Sequence, residues 1–190
     1  ASILLTMKRR NFLKIPLPLT LTGVLQAKTE EAPQLTFGVI ADPQYADQPT
    51  SGSRHYRKSV GKLKESVNNL NKQPLDFVVT LGDVIDKDLA SFDTMMPLYE
   101  KLKAPHRLVL GNHDFAVVDG DKPKVMQAMG MKAPYYSEVR GMWRMIYLDG
   151  TDVSIFRHRE NDARTVAAKK LYKELKQKKV RQAVPWNGAL

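Results

Sequence analysis

The chain has 190 residues, a formal net charge of +10 and a hydrophobic fraction of 43%. This length and composition are typical of one globular domain with a sizeable core, and they exclude an intrinsically disordered chain. Because the sequence contains no cysteine, disulfides and thiolate metal sites are also excluded, so any metal ion must bind to oxygen and imidazole ligands.

Residues 1–33 resemble an export signal followed by a polar spacer. A basic cluster that contains Arg9 and Arg10 precedes a mildly apolar stretch from Ile15 to Leu25, which is the order found in signal peptides. The paired arginines resemble the twin-arginine export signal and predict a periplasmic or extracellular protein. If the segment is instead a basic tail, the expected location is the cytoplasm. The apolar stretch is too short for a permanent membrane anchor.

The chain from residue 34 onwards begins with alternating strands and helices. Apolar runs predict three buried strands, and apolar residues at helical spacing predict two helices between them. In chain order these elements lie near residues 35–41, 54–72, 76–81, 91–103 and 106–110. Such alternation is typical of βαβ units with a largely parallel sheet, so the expected fold class is α/β.

Further along, the pattern predicts a short helix, an antiparallel hairpin and a basic amphipathic helix. They lie near residues 122–130, 135–149 and 162–179. We interpret the lysines of the last helix as a solvated face. Because no interleaved aromatic pattern accompanies them, no nucleic-acid partner is expected, although a basic surface attracts anionic substrates.

Each of the three predicted parallel strands ends in a cluster of polar residues. The clusters are Ala41-Asp42-Pro43-Gln44, Gly82-Asp83-Val84-Ile85-Asp86 and Gly111-Asn112-His113-Asp114. Since the carboxyl ends of parallel strands meet at one edge of a sheet, these side chains are expected to converge. A bound cation would offset the repulsion between the carboxylates. The available oxygen and imidazole ligands favour Mn, Mg, Fe or Zn.

Each of these residues also has an ordinary structural explanation. Asp42, Asp83 and Asp114 are common turn and helix-capping residues, and Asn112 is a common turn former. An isolated histidine such as His113 is more often structural than catalytic. The metal-site interpretation therefore depends on the whole constellation.

Taken together, the clusters resemble the motifs of the calcineurin-like metallophosphoesterases, Asp-x-His, Gly-Asp-x-x-Asp and Gly-Asn-His-Asp/Glu, in that order. Gln44 stands where most of that superfamily has histidine, and Asp-x-Gln is similar to the manganese-dependent ADP-ribose/CDP-alcohol diphosphatase branch. The segments Arg54–Ser59 and Leu148–Asp152 resemble the same branch. The resemblance implies a metallophosphoesterase-type α/β sandwich.

The resemblance also implies a centre of two divalent metal ions, with manganese expected and Mg, Fe or Zn as alternatives. The implied metal ligands are Asp42, Gln44, Asp83 and Asn112. Asp83 would bridge the two ions, and a water between them would attack phosphorus. His113 would protonate the leaving oxygen while Asp86 positions its imidazole. Arg54 and Arg57 are the candidates for contacts with the substrate phosphates.

The family pattern continues with a lone histidine and a Gly-His-x-His block, whereas this sequence has no histidine after His158. Residues 34–190 are therefore expected to be the N-terminal part of a phosphoesterase domain, with little or no activity of its own. For the full-length protein we expect hydrolysis of the phosphoanhydride in nucleotide-like small molecules of the ADP-ribose/CDP-alcohol type. The alternatives are a generic phosphomonoesterase or phosphodiesterase on the same centre, or an exported non-catalytic domain that binds anionic ligands.

Overall fold

The computed structural model describes the backbone of residues 2–7 and the chain from residue 35 to residue 177. Its strands are β1 (Ser2–Met7), β2 (Leu35–Ile40), β3 (Phe77–Thr80), β4 (His106–Leu108), β5 (Tyr136–Arg140) and β6 (Trp143–Tyr147). Its α-helices are α1 (Lys58–Leu70), α2 (Ser91–Tyr99), α3 (Val125–Ala128) and α4 (Ala163–Gln177). Two 3-10 turns cover His113–Phe115 and Lys122–Lys124.

A four-stranded sheet in the order β1-β2-β3-β4 forms the centre of the fold. β2, β3 and β4 are parallel, so that Phe37 lies opposite Phe77 and Val78 lies opposite His106. α1 connects β2 to β3, and α2 connects β3 to β4. The predicted α/β class and the predicted order of these five elements are confirmed.

Both connecting helices pack against one face of this sheet. Leu63, Val67 and Leu70 recur at helical spacing on α1 and are buried. They belong to one hydrophobic cluster with Ile40 of β2 and Val78 of β3, and α2 buries its own apolar residues in the same cluster. The helices thereby hold the three parallel strands side by side, and their carboxyl ends share one edge of the sheet.

The β5–β6 hairpin covers the opposite face. A second cluster joins Tyr147 of the hairpin to Phe37 and Phe77, whose rings stack at 4.8 Å. Glu138 fixes the hairpin in place because it accepts hydrogen bonds from Arg107 of β4 as well as from hairpin side chains. The parallel sheet is thus covered on both faces, as its apolar strands require.

One strand was not predicted. β1 pairs antiparallel with β2, with Ser2 opposite Ile40, whereas the sequence patterns assigned no element to residues 2–7. The remainder of the export signal predicted for residues 1–33 lies outside the described residues, and that signal stays a prediction. Within the described part of the chain, none of the helices combines the length and the hydropathy needed to span a membrane.

Candidate metal centre

The loops that follow β2 and β3 are joined by backbone hydrogen bonds. The N–H of Gln44 donates to the carbonyl of Asp83 at 2.8 Å, and the N–H of Tyr45 donates to the carbonyl of Val84 at 3.1 Å. The N–H of Asp86 then donates back to the carbonyl of Tyr45 at 2.7 Å. This pairing continues the parallel sheet past its last regular residues. It brings the first two predicted clusters together.

The carboxylate of Asp114 ties the third loop to the second. Its Oδ2 accepts the N–H groups of Asp83 (3.0 Å) and Gly111 (2.9 Å), and its Oδ1 accepts those of Val84 (2.8 Å) and Ile85 (3.3 Å). Burial raises the pKa of Asp114 to about 7, against the opposing effect of the backbone N–H groups. The sequence patterns offered Asp114 only as a turn or capping residue. This connection between loops was missed, although the acid that ends the Gly-Asn-His-Asp motif was a visible signal.

Two glycines allow these loops to touch. Gly82 has a φ of +80°, which side chains rarely adopt, and a Cβ there would collide with the backbone of Gly111. A Cβ on Gly111 would in turn collide with the backbone nitrogen and the carboxylate of Asp83. The Gly-Asp and Gly-Asn dipeptides of the motifs are therefore required by the close packing of the loops.

Three of the four predicted metal ligands have a left-handed backbone conformation. The φ angles are +51° for Asp42, +45° for Gln44 and +53° for Asp83. Each such residue costs about 1–3 kcal/mol and persists only where the surroundings impose the conformation. For Gln44 and Asp83 the backbone pairing of the loops imposes it, and for Asp83 the Asp114 carboxylate does so as well. Strain of this kind concentrates at functional sites.

The carboxylates of Asp42 and Asp83 are close neighbours. Burial raises the pKa of Asp42, and the charge of Asp83 raises it further. Asp83 accepts a hydrogen bond from the N–H of His113 at 2.8 Å through Oδ1 and one from Nε2 of Gln44 at 3.2 Å through Oδ2. The side chain of Asn112 forms no hydrogen bond with any residue that the structure describes. Two crowded carboxylates and two amides thus occupy one edge of the sheet.

The side chains of these four residues are of the right type to bind a divalent cation, but they are too few to complete its coordination. Carboxylate and amide oxygens are ligands that hard cations prefer, and a cation would relieve the repulsion between Asp42 and Asp83. However, among the residues that the structure describes, no three His, Asp or Glu side chains lie close enough together to hold a metal ion. A complete coordination shell needs further ligands.

Beside the carboxylates of Asp42 and Asp83 lie three side chains that contact one another: His113, Asp86 and Arg54. His113 Nδ1 lies 3.2 Å from Asp86 Oδ1, which is ion-pair distance without the alignment of a hydrogen bond. Arg54 donates through Nη1 to Asp86 Oδ2 at 3.0 Å, and its Nη2 lies 3.3 Å from His113 Nε2. Since a guanidinium can only donate, Nε2 is the acceptor, and the proton of a neutral ring is on Nδ1, towards Asp86. The predicted pairing of His113 with Asp86 is therefore present in the geometry.

The second predicted arginine is elsewhere. Arg57 donates through Nε to Asp47 at 2.6 Å, and both side chains are exposed to solvent. In the part of the chain that the structure describes, Arg57 contacts neither His113 nor Asp86. The structure therefore brings Arg54, but not Arg57, to the site.

A family model for calcineurin-like phosphoesterases matches residues 35–186, which include all three loops. The chain belongs to the calcineurin-like phosphoesterase family. The crystal structure of a dimetal phosphatase from Danio rerio has the same fold, with a TM-score of 0.61 and 24% sequence identity over 74% of this chain and 52% of that one. The predicted metallophosphoesterase fold is confirmed.

Curated members of the family extend the similarity. Two proteins named manganese-dependent ADP-ribose/CDP-alcohol diphosphatase are similar to this phosphoesterase chain. The one from Oryza sativa is 38% identical over 48% of the chain and 32% of its own length. The one from Arabidopsis thaliana is 29% identical over 75% of the chain and 50% of its own length. The chain thus spans between about a third and a half of the curated relatives it matches.

Proposed function

We propose that the whole protein hydrolyses the phosphoanhydride of nucleoside-diphosphate-linked small molecules such as ADP-ribose or CDP-alcohols. The observation that carries the proposal is the arrangement of His113, Asp86 and Arg54 next to the paired carboxylates of Asp42 and Asp83. This arrangement combines an acid, a residue that positions it, and a cation, all suited to phosphoryl transfer. The names of the curated relatives support the substrate class.

The metal part of the proposal rests on the donor set. Asp42, Gln44, Asp83 and Asn112 would be among the ligands of two divalent cations, with manganese favoured by the names of the relatives and Mg, Fe or Zn as alternatives. Bound there, the cations would supply an activated water and neutralise charge on the phosphoryl oxygens. Asp83 would contribute to both, a role supported by its backbone, which Asp114 fixes, and by its carboxylate, which adjoins Asp42.

The acid in this proposal is His113, which would give a proton from Nε2 to the leaving oxygen. Asp86, buried and adjacent to Nδ1, would hold the ring in position. Arg54 now donates to the same Nε2 atom, so it must leave that atom before the proton can be transferred. Its side chain is 44% exposed, which leaves it room to turn to a substrate phosphate. Arg54 would thus exchange one acceptor for another as the substrate binds.

A substrate screen on the whole protein with Mn²⁺ tests the proposal. Its substrates are ADP-ribose, CDP-choline, p-nitrophenyl phosphate and bis-p-nitrophenyl phosphate. We expect the two diphosphates to be the best substrates. Hydrolysis of the p-nitrophenyl esters without hydrolysis of the diphosphates would instead identify a generic phosphomonoesterase or phosphodiesterase. Binding of anionic polymers with no hydrolysis at all would favour the non-catalytic alternative.

Two variants of the whole protein separate the roles of the residues. Asp83→Ala should lose bound metal and activity together, because it removes the proposed bridging carboxylate. His113→Ala should keep its metal and lower turnover by about 10²–10⁴-fold, with a smaller loss for substrates that release p-nitrophenol. The exposed Asp88, on the same connection after β3, provides the matched control Asp88→Ala. Loss of metal from His113→Ala would contradict its assignment as the acid.

A further inference from the structure

A cavity of about 290 Å³ lies between the second 3-10 turn, α3 and the segment that leads into α4. None of its lining residues belongs to the candidate metal centre. Four permanently charged side chains line it, together with a single carboxylate: Lys122, Arg157, Arg159, Arg164 and Asp162. The lining is therefore rich in hydrogen-bond donors and poor in acceptors.

Two of these cations already have carboxylate partners. Lys122 Nζ lies 3.0 Å from Asp119 Oδ1, and Arg164 Nη2 lies 3.0 Å from Asp162 Oδ2. The exposed side chain of Arg159, by contrast, forms no hydrogen bond or ion pair with the residues that the structure describes. Arg159 is thus one cation of the cavity that remains available to a ligand.

Arg157 is paired in charge with Asp149, but its hydrogen-bond donors are only partly satisfied. Its guanidinium lies 4.4 Å from the centre of the Phe115 ring, and its side chain is 11% exposed. The carboxylate of Asp149 is 3.8 Å away, beyond hydrogen-bond distance. Nη2 meets only the thioether of Met126, and the buried Nη1 has no hydrogen-bond partner among the described residues. A buried charged donor left unpaired is costly, so an acceptor is expected here.

The neighbouring residue, His158, likewise has a buried nitrogen that lacks a hydrogen-bond partner within the described ranges. His158 Nε2 is buried without a hydrogen-bond partner in the described part of the chain, and it lies 3.9 Å from the nearest Asp152 oxygen. Two adjacent residues of the cavity wall therefore carry buried nitrogens that the protein leaves unsatisfied. An anion in the cavity would accept hydrogen bonds from Arg157 and add to the charge compensation that Asp149 provides.

We propose that this cavity is a binding site for the inorganic phosphate ion, held by Arg157 and Arg159. The planar guanidinium group matches the oxygens of phosphate, which accept two parallel hydrogen bonds from one arginine. Phosphate carries negative charge opposite the two arginines, and the cavity is open to solvent. The site is independent of the proposed hydrolysis because it shares no residue with the metal centre.

The test is a titration of the whole protein with inorganic phosphate in the presence of EDTA. Chloride at equal ionic strength is the reference, binding is followed by calorimetry, and the midpoint of thermal unfolding is measured in parallel. We expect saturable binding and a higher midpoint in phosphate. EDTA removes divalent cations, so a response cannot come from the metal centre. Absence of saturable binding to the folded chain would overturn the proposal.

Three variants locate the site. Arg157→Gln should abolish saturable binding. Because replacing the largely buried Arg157 also perturbs the fold, the exposed Arg159→Gln is the second variant, and it should weaken binding by about tenfold. Arg144→Gln removes the same charge from an exposed position on β6, outside the cavity, and should leave binding unchanged. If Arg144→Gln weakens binding as much as Arg159→Gln, the attraction is a general effect of the +10 charge, and the proposed site is wrong.

Discussion

The substitution Asp114→Asn tests whether one buried carboxylate holds the loops of the site together. Asp114 is fully buried, and each of its two oxygens accepts two backbone N–H groups. Asparagine has the same shape but replaces one oxygen with an NH₂ group. Whichever way the amide is oriented, two backbone N–H groups lose their acceptor and face another donor.

The structure sets the expected magnitude. A buried donor without a partner costs about 1–3 kcal/mol, so two of them should destabilise the fold by about 2–6 kcal/mol. This loss is a large part of the roughly 5–15 kcal/mol by which a domain is stable. When the NH₂ group takes the place of Oδ2, the left-handed backbone of Asp83, with a φ of +53°, also loses a hydrogen bond that maintains it. We therefore expect the variant to shift the carboxylate of Asp83 as well as to destabilise the chain.

Urea denaturation followed by circular dichroism measures this loss as a change in the free energy of unfolding at constant slope. Asp88→Asn is the matched control, since Asp88 is exposed and its side chain accepts no hydrogen bond in the described residues; it should change stability by less than about 0.5 kcal/mol. If Asp114→Asn were as stable as this control, the four hydrogen bonds could not be what holds the loops together.

Three further predictions concern the same fold. Gly111→Ala should disrupt the site, since its Cβ would overlap Asp83; circular dichroism and denaturation would show a destabilised chain, and unchanged stability would refute the close packing. Burial raises the pKa of Glu138, but hydrogen bonds from Arg107 and hairpin side chains outweigh burial and lower it to about 2. Because this pKa is lower in the folded state, the stabilisation that the charged Glu138 gives the fold is complete above about pH 4.5 and is lost as the pH falls towards 2. After solvent screening the expected loss is about 2 kcal/mol. The free energy of unfolding of Glu138→Gln should lack this loss. Burial lowers the pKa of His106 to about 4, so the unfolded chain takes up the proton first, and stability should fall by up to about 3 kcal/mol between pH 6.5 and 4. Acid denaturation of His106→Asn should lack that step, and an identical pH profile would contradict the assignment.

Local patterns in the sequence were sufficient for the order of elements and for the polar loops. Apolar residues on α1 recur at helical spacing, and β3 is a continuous apolar run, so both elements could be predicted without knowledge of their partners. The clusters around Asp83 and Asn112 directly follow their strands, and a parallel sheet places such loops at one edge. The sequence therefore predicted which three loops lie together at the candidate site.

Only the tertiary structure decided how these residues contact one another. Arg54 and Arg57 are the same residue type three positions apart, yet one lies against His113 and the other pairs with Asp47 at the surface. The tie through Asp114 joins loops about thirty residues apart in the chain, and the acid that ends the third motif does not by itself indicate which loop it binds. Propensity and periodicity report a residue's own neighbourhood, whereas hydrogen-bond partners are chosen by the packing of distant segments. For this protein, local sequence motifs therefore determine which functional groups the site contains, and the packing of distant segments determines how those groups are arranged.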